Sequence, residues 1–234
     1  MTETNAYGQI VGAPVPGWTP RPLPDAAGFE GRYCRLERLD PARHGAGLIA
    51  GFRAAPDDRD WTWWRTARPA DEPAFRDYVD SMATTPGRVA YAIIEAASGQ
   101  PAGHAAFMNI AAANGALEIG SINFTPLLRR HRAGTEALFL MLRHAFDDLG
   151  YRRVEWQCNS LNLPSRAAAL RLGFTFEGIF RQNAVTQGRN RDTAWFSILD
   201  SEWPDRRAAL DAWLAPDNFD DAGRQRRKLS AFRT

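Results

Sequence analysis

The sequence predicts an α+β domain built on one mixed, twisted sheet, mostly antiparallel, with a single parallel βαβ crossover and helices on both faces. Three observations carry that prediction. Residues 88 to 124 read as short strands punctuated by the turns Ala97-Ser98-Gly99 and Asn114-Gly115, a hairpin continued as a meander. Residues 125 to 158 then read loop, helix, strand, a crossover that demands parallel pairing. After a shorter helix, GIFRQNAVT and DTAWFSILD bracket the polar turn QGRNR as a second hairpin.

The elements follow in order. Residues 1–30 hold much of the Pro and Gly, as in VGAPVPGWTPRPLP, and read as an extended arm with Trp18 as its anchor. GRYCRLERL, residues 31 to 39, alternates as a first strand, and Pro41 opens a helix through Leu48, Ile49 and Phe52. The stretch Asp57 to Thr66 is aromatic-rich without a clear period. Pro73 begins a helix carrying Phe75, Tyr78, Val79 and Met82 that ends before Pro86-Gly87. Strands follow in RVAYAIIEA, QPAGHAAFMNI and ALEIGSINF. Past Gly134, Leu138, Met141, Leu142, Ala145, Phe146 and Leu149 recur at helical steps, so one face of a long helix lies on the sheet. RRVEWQC is the next strand, Leu163 to Leu172 a shorter helix, and Trp203-Pro204 opens a last helix through Leu210 and Trp213. One domain is expected over 31–215, with a loose tail over 216–234.

Composition narrows the function classes. At 234 residues with 44% hydrophobic side chains, the chain can bury one substantial core. A net charge of +2 with interspersed signs argues against a nucleic-acid partner by bulk charge. Cys34 and Cys158 have neither CxxC spacing nor a neighbouring histidine, so reduced thiols in a cytoplasmic protein are expected, with one disulfide left open. No signal-peptide pattern opens the chain and no apolar run nears the ~20 residues that span a bilayer, so no membrane role is expected. His104, His131 and His144 lack partners at metal-ligand spacing, and no metal is expected.

The chemistry centres on TPLLRRHRAGTEALFLML, Thr125 to Leu142. A helix start leaves backbone N–H groups without intrahelical partners and carries the positive end of the dipole, and Arg129, Arg130 and Arg132 crowd the same loop. Such a terminus is an anion site, and a phosphate is the expected guest.

In order, the basic loop, Thr135-Glu136-Ala137, Leu149-Gly150-Tyr151, Asn162-Leu163-Pro164-Ser165, Leu172-Gly173-Phe174 and Glu177-Gly178 resemble the GNAT superfamily of acetyl-coenzyme A dependent N-acetyltransferases. The resemblance is to the branch typified by ribosomal-protein alanine N-acetyltransferases and spans Gly31 to Pro204. It implies a GNAT-like fold, acetyl-coenzyme A as cosubstrate and a primary amine as acceptor, either a small metabolite or a protein N-terminus. A homodimer is compatible with this branch.

The superfamily's phosphate loop places arginine or glutamine, glycine, then glycine or alanine at positions matched here by Arg129, Arg132 and Gly134, so arginine replaces the middle glycine. The backbone N–H groups of Arg130, His131, Arg132, Ala133, Gly134 and Thr135 are expected to hold the pyrophosphate, with added guanidinium charge. By the same resemblance Asn162 and Ser165 lie beside the coenzyme, although either also suits a helix cap. Ala169 stands where many members carry the tyrosine acid, which leaves Ser165 as the candidate proton donor.

Acyl transfer to an amine requires removal of its proton, since an alkyl ammonium has a pKa near ~10.4. By analogy Glu118, between Leu117 and Ile119, is the best-placed base, with a structural ion pair as the other reading. The backbone of Ile122, Asn123 and Phe124 is expected to polarise the thioester carbonyl. Trp63, Trp64, Arg189 and Arg191 are acceptor-site candidates, against packing for the tryptophans and a solvated turn for the arginines. Two other classes compete: a coenzyme-binding module without catalysis, prompted by Ala169, and a ribosome- or RNA-associated protein using RRHR and GRQRRK.

Overall fold

Residues 2–233 are described by the computed structural model. β1 (Thr2–Thr4) and β2 (Ile10–Gly12) form an exposed hairpin, and β3 (Gly28–Glu30) and β4 (Cys34–Arg38) begin the main sheet. Helices α1 (Pro41–Arg53) and α2 (Glu72–Thr84) precede β5 (Val89–Glu95), β6 (Pro101–Ala111) and β7 (Ala116–Phe124). Then come α3 (Arg132–Arg143), β8 (Arg153–Asn159), α4 (Leu163–Leu172), β9 (Thr175–Thr186), β10 (Arg189–Leu199) and α5 (Trp203–Leu214). The sheet order is β3-β4-β5-β6-β7-β8-β10-β9, and β7 with β8 is its parallel pair. The mixed sheet and the β7-α3-β8 crossover are those the sequence predicts.

Both faces of the sheet are covered, which is why β5 reads as a near-continuous apolar run. Ala90, Ala92 and Ile94 turn toward Leu48 and Phe52 of α1 and Phe75 and Val79 of α2. Tyr91 and Ile93 turn the other way, into the cluster built by Leu138, Met141 and Leu142 of α3 and Leu210 of α5. Asp40 and Asp71 cap α1 and α2, each accepting a hydrogen bond from the first turn.

Helix α3 starts at Arg132, six residues before the apolar repeat begins at Leu138, and His131 is its N-cap. Its orientation is set by Glu136, whose buried carboxylate accepts the backbone N–H groups of Arg32 at 2.9 Å, Tyr33 at 2.6 Å and Cys34 at 2.8 Å. That contact ties the first turn of α3 to the entrance of β4. Nothing in local spacing announces it, because about a hundred residues separate the partners.

The crossover pair is short. β7 and β8 match only at Ala116↔Arg153, Leu117↔Val154 and Glu118↔Glu155 before they part. Beyond Glu118, β7 bends at a bulge where Ser121 and Ile122 oppose Ala105, with Ser121 in the left-handed region at φ 48°. Among the described residues the β8-facing backbone edge of β7 therefore lacks a strand partner over 119–124.

Both chain ends are more ordered than their composition suggests. The N-terminal arm contains the β1–β2 hairpin and the edge strand β3, and Trp18 is an anchor: its Nε1 donates to Ala113 O at 2.9 Å, with the Arg21 guanidinium 4.3 Å over its ring. The expectation of a loose tail is corrected. Leu229 is 1% exposed and Phe219 6%, and Trp213 Nε1 donates to Gln225 Oε1 at 2.9 Å. The few apolar residues of the tail suffice because they complete the cluster around α5. Cys34 and Cys158 are unpaired and buried. Among the described residues no helix is long and apolar enough to cross a membrane.

Candidate active site

Where β7 and β8 part, the structure opens a cavity of about 330 Å³. One wall is β7 from Glu118 to Ile122 and the other is β8 from Trp156 to Asn159, with Asn162 and Ser165 from the start of α4. The far side is formed by Trp63, Trp64, Tyr78, Arg88, Met108 and Arg191.

Glu118 closes the end of the parallel ladder. It is 4% exposed, and burial pushes its carboxyl up from 4.5 to about 7, aided by Glu155, while the Asn109 amide donating at 2.6 Å opposes the rise. A carboxyl poised near neutrality at a cavity wall can accept a proton from a bound group and return it to water. Gly120 makes room for it: a Cβ there would lie 2.8 Å from Glu118 Oε1 and 2.7 Å from Met108 Sδ.

Ser165 Oγ accepts Trp156 Nε1 at 3.0 Å, and its own proton has the Cys158 sulfur as a neighbouring acceptor. Asn162 is the helix cap of the second sequence reading and also a cavity residue. Its Oδ1 caps α4 by accepting Ser165 N–H at 3.1 Å, and the residue lines the cavity. Behind the bulge, Asn123 turns away from the cavity and donates to the Tyr78 hydroxyl at 3.0 Å, and that hydroxyl meets His104 Nε2 at 2.8 Å. Burial pushes His104 down to about 4 and Tyr78 above the usual tyrosine range, so both are neutral near pH 7. This buried network pins α2 to the bulge. Sequence reasoning missed it, since Tyr78 reads as an apolar-face residue and His104 as an isolated histidine.

The basic loop is a separate region that the cavity lining does not include. The N–H groups of Arg130 and Arg132 meet no backbone acceptor among the described residues, and Arg130 is exposed without an ion pair, at φ 56°. The other guanidiniums are engaged elsewhere. Arg129 bonds Phe124 O at 3.2 Å and pairs with Asp60, and Arg132 lies 4.1 Å over the Tyr33 ring and 4.9 Å over Phe219. The extra guanidinium charge expected of Arg132 is thus directed at aromatic faces, and what it offers the loop is its backbone. His131 accepts Ala133 N–H at 3.4 Å, and Thr135 Oγ1 accepts Arg171 at 3.0 Å. At Gly134 a Cβ would come within 2.9 Å of Phe124, so glycine lets α3 start against β7.

The sequence-named residues thus fall into two groups and three outliers, one of which is Phe124, whose carbonyl accepts Arg129 Nε and which does not line the cavity. Glu118, Ile122, Asn162, Ser165, Trp63, Trp64 and Arg191 meet in one cavity, and Arg129 through Thr135 form the helix start. Asn123 supports the bulge from behind. Arg189 is exposed in the hairpin turn and does not reach the cavity. Met108, Arg65 and Arg88 are cavity residues that no sequence signal marks. Among the described residues no group of three or more His, Cys, Asp or Glu is arranged to hold a metal.

A coenzyme A molecule fits this arrangement in two respects. The free edge of β7 offers amide groups to its peptide-like arm, and the Arg130 and Arg132 N–H groups, without backbone acceptors among the described residues, lie at the positive end of the α3 dipole.

Comparison with known proteins agrees with the geometry. The family model for the acetyltransferase (GNAT) domain matches residues 35–175. A GCN5-related N-acetyltransferase from Brucella melitensis is 50% identical with a TM-score of 0.90, covering 93% of this chain and 99% of that one. A GNAT-family chain from Chromobacterium violaceum ATCC 12472 is 41% identical with a TM-score of 0.76, over 82% and 96%. At 20% identity, a Salmonella typhimurium enzyme that modifies the N-terminal serine of ribosomal protein L7/L12 shares the fold, with a TM-score of 0.60 over 72% and 96%. None of the functionally curated sequences compared matches the chain. With the domain model covering more than half of its length, a close relative matching nearly end to end, and the parted β7–β8 pair beside a basic helix start, the chain belongs to the GNAT family of acetyltransferases.

Proposed function

We propose that the protein transfers the acetyl group of acetyl-coenzyme A to the nitrogen of a primary amine, a small metabolite or a protein N-terminus, by direct attack through a tetrahedral intermediate. The single observation that carries this reading is Glu118, a buried carboxyl held at about 7 where the strands part. In it the coenzyme supplies an activated acyl thioester, and this chain's residues do the rest. The start of α3, with the Arg130, His131, Arg132, Ala133, Gly134 and Thr135 backbone and the free Arg130 side chain, binds the pyrophosphate. The free edge of β7, with the amides near Ile122 and Phe124, orients the arm and polarises the carbonyl. Asn162 keeps an amide N–H₂ for the arm beyond its cap. Glu118 takes the proton of the acceptor ammonium, and Ser165 donates to the leaving sulfur, the place that Ala169 leaves vacant.

Thiol release from acetyl-coenzyme A over a panel of primary amines tests the reading. Turnover that collapses in Glu118→Gln, with coenzyme affinity by calorimetry preserved, supports it. Tight coenzyme binding with no turnover of any amine overturns it in favour of a binding module.

A further inference from the structure

The cavity beside Glu118 holds more positive charge than acetyl transfer alone requires. Arg65 from the loop before α2, Arg88 from the entry to β5 and Arg191 from β10 all line it. None has a carboxylate at ion-pair distance among the described residues. Among the described residues Arg88 Nη1 reaches only neutral acceptors, Ser81 O at 3.4 Å, Met82 Sδ at 3.3 Å and Thr85 Oγ1 at 3.4 Å, and its buried Nε has no partner. Arg191 Nε reaches Thr193 Oγ1 at 3.3 Å, and the adjacent Asp192 is turned away to Gln182 N–H and the Asn190 amide. Of the two acids on the cavity wall, Asp60 is paired with Arg129 and Glu118 is partly protonated near pH 7. Burial lowers the pKa of both Arg88 and Arg191 and Arg65 adds like charge to each, while Glu118 offsets part of the fall at Arg191.

Arg88 and Arg191 are half-buried and Arg65 is exposed beside them, three guanidiniums against the single unpaired carboxyl of Glu118, and a ligand anion is the group that relieves the excess. The coenzyme's phosphates do not fill that role, because the basic loop at the start of α3 lies outside this cavity.

We propose that the acceptor is an amine that also carries an anionic group, a carboxylate or a phosphate, which Arg65, Arg88 and Arg191 hold while its nitrogen faces Glu118. The assignment rests on the acetyl-transfer reading above and specifies its substrate. Trp63 and Trp64 supply an apolar wall for the carbon skeleton between the two polar ends. The arginines also disfavour an ammonium in the same cavity, which eases loss of the proton that Glu118 must take. A polyamine adds like charge and is rejected.

Matched acceptors test this, with thiol release measured above the Glu118 titration: tyrosine against tyramine, γ-aminobutyrate against butylamine, O-phosphoethanolamine against ethanolamine, and spermidine. The expected result is a preference of about tenfold or more in kcat/KM for the anion-bearing member of at least one pair, the yield of one charge-assisted hydrogen bond. The pair that shows it separates carboxylate from phosphate. In Arg65→Gln and in the Arg65→Gln/Arg191→Gln double variant that preference shrinks while coenzyme affinity is unchanged. Arg65 is exposed, so the single variant keeps the test valid if the double variant does not fold. Equal or better turnover of the neutral members or of spermidine overturns the anion assignment alone. No turnover of any member overturns acetyl transfer and the anion assignment together.

Discussion

Replacing Glu118 with glutamine should lower activity and raise stability at the same time, and both effects come from one cause. Burial lifts the carboxyl from 4.5 to about 7, so in the folded protein it stays protonated across a window in which the unfolded chain has already ionised. The folded state binds more protons there, and stability falls as pH rises from about 4.5 to about 7. Above that window the full cost is about 3 kcal/mol, at ~1.36 kcal/mol for each pH unit between the two values. Glutamine keeps an oxygen for the Asn109 amide and has no charge to bury. Denaturant unfolding should therefore find Glu118→Gln more stable than the parent at pH 8, by up to about 3 kcal/mol, with the two converging toward pH 4.5. In the same preparations kcat/KM of the parent should rise about tenfold per pH unit below about 7 and level off above it, and the variant should lose that limb and ~10²-fold or more in rate. Asn109→Leu, which removes the hydrogen bond opposing the rise, should move the midpoint upward and spare the plateau. A parent and variant with parallel stability curves would refute the raised carboxyl, and a variant that keeps the parental pH profile would refute the base.

Three further outcomes follow from contacts already described. Arg132→Ala removes a guanidinium from the Tyr33 and Phe219 rings, so thermal stability should drop by about 1 kcal/mol while coenzyme affinity by calorimetry stays near parental; Arg130→Ala should do the reverse and flatten the salt dependence of coenzyme binding. Glu136→Ala leaves the buried N–H groups of Arg32, Tyr33 and Cys34 without their acceptor and should cost about 3 kcal/mol in chemical denaturation, far more than an exposed Glu→Ala control such as Glu72→Ala. Gly120→Ala puts a methyl against Glu118 Oε1 and Met108 Sδ, so the pH midpoint of kcat/KM should move although no ionisable group is altered; an unchanged midpoint counts against tight seating of that carboxyl.

The sheet, the crossover and the helix start were legible because each is written in local period and punctuation. β5, β6 and β7 are separated by glycine-bearing turns, and α3 announces its buried face at helical steps over a dozen residues. The candidate site was legible only where it sits on those elements, as Glu118 does at the end of a paired stretch and Asn162 with Ser165 at a helix start. Contacts between distant segments were not. Arg132 reads as a phosphate-loop cation in its own neighbourhood, and only the fold brings Tyr33 and Phe219 under it. Arg65 sits in a stretch without a period and Arg88 at the first position of a strand run, so nothing in spacing aims either at β10. The order of the tail likewise depends on a vacancy in the cluster around α5, which a tail sequence does not display.

The bulge at Ser121 links these features, because one extra residue in β7 acts on every part of the site. By bending β7 away from β8 after Glu118↔Glu155, it exposes a strand edge to a peptide-like ligand and opens the cavity beside it. The same bend leaves Glu118 as the last side chain on the paired stretch, deep enough for burial to hold its carboxyl near 7 yet facing the opening. Left-handed backbone at a non-glycine residue is unfavourable by about 1 kcal/mol or more, and the buried Asn123–Tyr78–His104 bonds directly behind the bulge supply what keeps it in place. Because Tyr78 belongs to α2 and also lines the cavity, the helix that fixes the bulge is the one that carries the far wall. Acceptor fit and the geometry of the reacting edge are thereby coupled through one hydroxyl, so changes on α2 that leave every cavity contact intact can still alter the rate.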